Sequence, residues 1–103
     1  MKNKVYISGP YTYPDPVVNT YKAIQVANQL FDAGYMPYLP HLTLLWHLVT
    51  PRSTKDWYKL DNAWIASCDY IIRLPGKSKG ADMEMKLAKK LGIEITTLKK
   101  LLK

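Results

Sequence analysis

The sequence predicts an α/β domain built in three layers, with helices on both faces of a parallel sheet of four to five strands. Three observations predict it. Short β-branched and aromatic runs alternate along the chain with longer segments of helical periodicity. Proline and glycine mark the breaks between them, at Gly9-Pro10, Gly34, Pro40, Pro51, Pro75-Gly76 and Gly92. At 103 residues, 48% of them hydrophobic and 22% charged, the chain suffices for one core and is too short for two, so 1–103 reads as a single domain.

Lys4 to Ser8 (KVYIS) stops at Gly9-Pro10 and reads as a buried first strand. Pro10, Pro14 and Pro16 stiffen the following loop and keep it out of a helix. From Val17 to Ala33 the apolar residues Val18, Tyr21, Ile24, Val26, Ala27 and Leu30 recur at helical spacing, and Gly34 supplies the stop. Tyr35 to Leu39 is a second strand, closed by Pro40. His41 to Val49 is leucine-rich, a short helix or ordered loop over the sheet, broken by Pro51. Ser53 and Asp56 have capping-box-like spacing, with Asp in place of the usual Glu or Gln. They open a helix carrying Trp57, Leu60, Asp61, Trp64 and Ile65. Tyr70 to Leu74 is a third strand, Gly80 to Leu91 a helix stopped by Gly92, and Ile93 to Leu98 a fourth strand.

This order gives a Rossmann-like or flavodoxin-like domain with right-handed crossovers. In such sheets ligands bind beyond the carboxyl ends of the strands. The site is therefore expected at Gly9 to Tyr13, Pro40 to Thr43 and Pro75 to Gly80, the segments that follow the first three strands.

Composition excludes several classes. Cys68 is the only cysteine, so no internal disulfide can form, and a reducing cytoplasm is the expected compartment. Its apolar neighbours Tyr70, Ile71 and Ile72 favour a buried structural thiol over a reactive one. The start, MKNKVYISGPYT, lacks the apolar run of a signal peptide, and no segment nears the roughly 20 apolar residues of a membrane span. The formal charge of +7 attracts anions. A lysine face is the simpler account, since no arginine cluster with interleaved aromatics is present and nucleic-acid binding is not expected. His41 and His47 are six apart with no acidic ligand near, so neither a zinc site nor any other metal or cofactor is expected. Neither a P-loop nor a dinucleotide fingerprint is present.

Two carboxylates carry the candidate chemistry. Glu84 lies about one turn inside the helix after the Gly-Lys-Ser-Lys-Gly loop, beside Ala81, Met83, Leu87 and Ala88, and Asp61 sits on the preceding helix. Two carboxylates at one cleft are the equipment of glycosidic chemistry, one attacking and one managing a proton. Spacing alone leaves another reading open, with Glu84 serving a helix dipole and Asp61 an ordinary exposed residue.

The segments YISGPYT, DWYKLDNAWIASCDYIIRLPG and SKGADMEMKLAKKLGI resemble the nucleoside 2-deoxyribosyltransferase superfamily over nearly the whole chain. They are similar in particular to its small branch of 2'-deoxynucleoside 5'-phosphate N-hydrolases and phage-type relatives. The distinctive pieces are the aromatic-x-x-Gly start, Asp-x-x-Trp followed by Cys-Asp, and Ser-x-Gly-Ala-x-x-Glu. The resemblance implies Glu84 as nucleophile at the anomeric carbon, Asp61 as the aspartate aiding proton transfer to the departing base, and Tyr6 as the phenol orienting the nucleophile. It implies substrate contacts at Ser8, Gly9, Pro10, His41, Ser78 and Gly80, with Ser78 touching phosphate or sugar. It also implies cleavage of N-glycosidic bonds in deoxynucleosides or their 5'-monophosphates through a glutamate-linked sugar. Base exchange and a non-catalytic nucleotide-binding domain are the alternatives.

Two departures qualify that pattern. Pro10, Tyr11, Thr12 and Tyr13 follow Gly9 where the nucleotide hydrolases carry a phosphate-holding arginine, which leaves backbone amides, Ser8, Ser78, Lys77 or Lys79 for a phosphate. The chain also lacks the longer C-terminal part of some transferases, which favours hydrolysis. Trp46 could wall the base side, whereas Trp57 and Trp64, seven apart, are expected in the core or at a subunit interface. With 12% aromatic residues in a short chain, a homodimer or a tetramer of dimers is expected.

Overall fold

The computed structural model describes residues 2–103. Four strands alternate with helices: β1 (Lys4–Ser8), α1 (Pro16–Asp32), β2 (Met36–Tyr38), α2 (Thr43–Val49), α3 (Thr54–Ser67), β3 (Tyr70–Arg73), α4 (Lys79–Leu91), β4 (Glu94–Thr96) and α5 (Leu98–Leu101). A 3-10 turn, Pro40–Leu42, leads into α2. All strand pairs are parallel and the order is β2-β1-β3-β4. Ser8 lies opposite Arg73, so β1 and β3 end level with each other.

The alternation of β1 divides the core. Val5 and Ile7 face Ala23, Ala27 and Leu30 of α1, with Leu98 and Leu101 of α5 beside them. Tyr6 faces Ile65 of α3 and Ala88 of α4, together with Ile71 and Cys68. The result is the three-layer arrangement, α1 and α5 on one face and α3 and α4 on the other. Ile7, Leu30, Ile65 and Ile71 are fully buried, each contributing about 1.5–3 kcal/mol.

Caps fix the helix starts. The Asp15 carboxylate accepts from the backbone N–H of Val17 and Val18, and Pro16 takes the first helical position. Ser53 caps α3 by accepting from the Asp56 N–H, as its spacing predicts. Gly92, at φ 74°, closes α4 in the left-handed region.

Of the residues at helical spacing on α1, Ala27 and Leu30 turn inward together with Asn19 and Ala23, whereas Val18, Tyr21 and Ile24 are exposed. Small alanines let the helix approach the sheet closely, and that outweighs the size of its other apolar residues. The second and fourth strands are shorter than expected, because only Met36–Tyr38 and Glu94–Thr96 find a parallel neighbour. Leu98 leaves the sheet: the Thr97 hydroxyl caps a short helix instead, accepting from the Lys100 N–H. Among the described residues no helix is long and apolar enough to cross a membrane.

Candidate active site

The strand order decides where a ligand can sit. After β1 the chain departs to α1 on one face, and after β3 it departs to α4 on the other. The departing loops open a crevice above the ends of β1 and β3. They start in contact: the Leu74 N–H donates to the Ser8 carbonyl at 2.7 Å. A Cβ at Gly9 would stand 2.8 Å from the Leu74 Cβ, so only glycine fits there. A cavity of about 640 Å³ opens at the crevice, a size suited to a small organic ligand. Its walls are Gly9 to Tyr13, the α2 and α3 residues Thr43, His47, Trp57, Tyr58 and Asp61, Arg52 between those helices, and Lys77 to Ala81 with Glu84. A second cavity, about 570 Å³, lies on the α1 side of the Pro10–Pro14 loop and no carboxylate lines it.

Glu84 stands on the inward stripe of α4 with Ala81 and Ala88 and is 9% exposed. Tyr6 and Ser8, two apart on β1, point to the same face of the sheet. The Tyr6 hydroxyl donates to Glu84 Oε2 at 2.7 Å, and the Ser8 hydroxyl donates to Oε1 at 2.6 Å. Both donors are fully buried. Burial raises the Glu84 pKa, while the Ser8 and Tyr6 bonds and the Arg73 charge oppose the rise. Burial and the Glu84 charge push the Tyr6 phenol far up, so it stays a donor. The result is a carboxyl whose oxygens are fixed by two neutral hydroxyls, donors that favour its ionised form against the upward push of burial.

Asp61 lies on α3 at the same cavity. Its carboxyl is pushed up to about 7, by burial first and by the Glu84 charge second. Its Oδ1 is buried without a hydrogen-bond partner. Of the two carboxyls, Asp61 is the one that holds a proton near neutrality, because two donors already serve Glu84.

The remaining expected residues divide. Gly9, Pro10, His41, Ser78 and Gly80 line the cavity. Ser78 also caps α4, its Oγ accepting from the Ala81 N–H at 3.1 Å. Ser8 is corrected: fully buried and bonded to Glu84, its hydroxyl holds the carboxylate and does not face a phosphate. His41 is 1% exposed, too enclosed to stack on a base. Its Nε2 meets the Pro10 carbonyl at 2.9 Å. A carbonyl only accepts, so Nε2 carries the proton, and burial lowers the ring's pKa. His41 thereby positions the Gly9–Tyr13 wall, with Tyr11 edge-on to its ring. Trp57 is also corrected: it lines the cavity, while Trp64 stacks on Tyr38 with ring centroids 4.8 Å apart. Trp46 meets Trp57 edge-on and does not line the cavity.

Sequence reasoning missed several contributors. Arg73, one of two arginines, donates to the carbonyls of Leu74 at 2.6 Å and Gly76 at 2.8 Å and pairs with Asp82 at 2.9 Å. It thus laces the β3–α4 loop that forms one wall. Asn19 donates to the carbonyls of Tyr11 and Tyr13, holding the opposite loop. Arg52 and Tyr58 lie on the wall with no motif to announce them. Among the described residues, no three His, Cys, Asp or Glu side chains gather as metal ligands.

Residues 3–97 match the family described as a domain of unknown function, DUF4406. No curated protein matches the sequence. Solved structures share the fold, among them two 2-deoxyribosyltransferases. One is a 2-deoxyribosyltransferase from the psychrotolerant bacterium Bacillus psychrosaccharolyticus, at TM-score 0.65 and 20% identity over 89% of this chain and 69% of that one. The other is a 2-deoxyribosyltransferase from Leishmania mexicana, at TM-score 0.67 and 24% identity over 92% of this chain and 63% of that one.

Proposed function

The chain belongs to the DUF4406 family, and from that premise and its fold we propose that it cleaves the N-glycosidic bond of 2'-deoxyribonucleosides or their 5'-monophosphates. The observation that carries the reading is Glu84, held on both oxygens by Tyr6 and Ser8 in a cavity shared with a carboxyl that keeps a proton near pH 7. The deoxyribosyltransferase fold of the two neighbours supports it.

In the proposed reaction a Glu84 oxygen attacks C1' of the sugar. The C1'–N bond breaks, its electron pair leaves with the base, and the Asp61 proton is delivered to that base directly or through water. The products of this step are a free base and a sugar esterified to Glu84. Water then attacks C1' while ionised Asp61 accepts its proton, which releases deoxyribose and restores the Glu84 carboxylate. A second base in place of water would give transfer; water is the proposed acceptor. A 5'-phosphate would be met by Lys77, Lys79, Ser78 and the backbone amides that open α4. The same reading takes the protein to be a cytoplasmic homodimer or dimer-built tetramer, its one cysteine reduced and buried.

Chromatography of deoxynucleosides and their monophosphates after incubation tests the proposal, with wild type beside Glu84→Ala and Glu84→Gln. Free base is expected from wild type alone. No base from any substrate, or undiminished release by either variant, overturns the reading. Added free base separates the acceptors: a new nucleoside in place of free sugar identifies transfer.

A further inference from the structure

The wall formed by α2, α3 and the residues between them is furnished differently from the rest of the cavity. His47 lines it, and its ring is held from one side. Nδ1 accepts from the Trp57 indole N–H at 3.0 Å and from the Arg52 backbone N–H at 3.2 Å. Two donors on one nitrogen require a lone pair there, so the neutral ring carries its proton on Nε2. Nε2 has no hydrogen-bond partner among the described residues and is a donor whose tautomer the fold has chosen. Arg52 lies on the same wall, its guanidinium paired through Nη2 with Asp56 at 3.2 Å. Thr43 already donates its hydroxyl to the Pro40 carbonyl at 2.7 Å. The neighbouring carboxyl, Asp61, holds a proton near neutrality. This wall presents donors.

Resting on the nucleoside-cleaving reading above, we propose that His47, with Arg52 beside it, selects nucleobases that present a carbonyl oxygen at this wall over those that present an amino group. A keto oxygen accepts from Nε2–H. An exocyclic amino group would set N–H against N–H and leave both buried and unpaired, and sites built to hydrogen-bond one partner reject the mismatched analogue strongly. Trp57 is a positioning residue in this scheme. Its indole N–H keeps the proton off Nδ1 and hence on Nε2.

Matched ligands that exchange the keto group for an amino group, with the adjacent ring N–H becoming an acceptor nitrogen, test the proposal: the 5'-monophosphates of 2'-deoxyuridine against 2'-deoxycytidine, and of 2'-deoxyinosine against 2'-deoxyadenosine. Calorimetric binding to protein carrying Glu84→Gln reads affinity without turnover, so the result stands apart from whether wild type releases base. The keto member of each pair is expected to bind about 10- to 100-fold more tightly. In a His47→Phe background that ratio should fall to near one, chiefly through loss of keto affinity. Trp57→Phe should reduce it part of the way, and His47→Gln, which keeps an N–H donor, should retain part of it. Should His47→Phe fail to fold, the Trp57→Phe and His47→Gln ratios decide. Equal affinities in the starting protein, a preference for the amino members, no binding by any of the four, or a ratio unmoved by these substitutions overturns the proposal. Keto-selective binding without base release from wild type would overturn the cleavage reading and leave the base selectivity standing.

Discussion

Asp61→Asn is expected to make the protein more stable at neutral and alkaline pH while it cripples the reaction. The Asp61 carboxyl rises from an ordinary 3.8 to about 7 in the folded protein, so the folded state holds this proton more tightly than the unfolded chain does. A group raised in this direction favours folding fully below its unfolded value, and that contribution is lost as pH rises through 3.8 toward about 7. The full rise corresponds to ~4 kcal/mol at about 1.36 kcal/mol per pH unit. The side chain is only half-buried, and solvent screening reduces the figure to ~1–3 kcal/mol. Asparagine matches the shape of the protonated acid and never ionises. The variant should therefore gain little at about pH 3 and ~1–3 kcal/mol by about pH 8, which for a domain of this size is a melting rise of ~5–20 °C. Thermal denaturation of both proteins across that range, followed by circular dichroism, measures the difference, in which groups remote from Asp61 cancel. A variant no more stable than wild type at about pH 8, or a gap that narrows as pH rises, refutes the reasoning. Base release should fall by about 10²–10⁴-fold in the same variant, the usual loss on removing a general acid.

Tyr6→Phe and Ser8→Ala each remove one donor from Glu84 and should raise its pKa further, moving the acid limb of the pH–rate profile upward with a partial loss of rate; a loss as complete as that of Glu84→Ala in either variant means the roles are misassigned. A homo-oligomer is expected because Val17, Tyr21, Ile24 and Phe31 lie exposed along α1 and Leu45, Leu48 and Val49 along α2; light scattering that reports a monomer at micromolar concentration contradicts it, and Tyr21→Lys with Phe31→Lys tests the α1 surface. Deoxyribonucleotides should exceed ribonucleotides by roughly 5- to 150-fold in kcat/KM, since an unpaired 2'-hydroxyl costs about 1–3 kcal/mol; equal or better constants for the ribo form overturn this and leave Glu84 in place.

Element order was legible in the sequence because its signals are local. Gly9-Pro10, Pro75-Gly76, Gly34 and Gly92 end strands and helices through their own backbone preferences, whatever packs around them. The alternation of strands and helices they delimit then implied the parallel sheet and the ends at which a site forms. Glu84 stood out as a carboxylate among apolar neighbours on a helix that starts beside that site, but its spacing left a helix-dipole reading open and only the resemblance pointed to a nucleophile.

Facing and pairing were decided only by the tertiary structure. The helical periodicity of α1 does not by itself say which stripe meets the sheet; the sheet accepted Asn19, Ala23 and Ala27 because small side chains allow close approach. Ser8 read as a loop-edge hydroxyl free for a ligand until β1 and α4 came together and gave it to Glu84. Trp57 and His47, ten residues apart, met only when α2 folded back over α3. Each of these depends on distances between segments separated along the chain, and a hydrogen bond such as Tyr6 to Glu84, 78 residues apart, is fixed by how the elements dock and by nothing local to either residue.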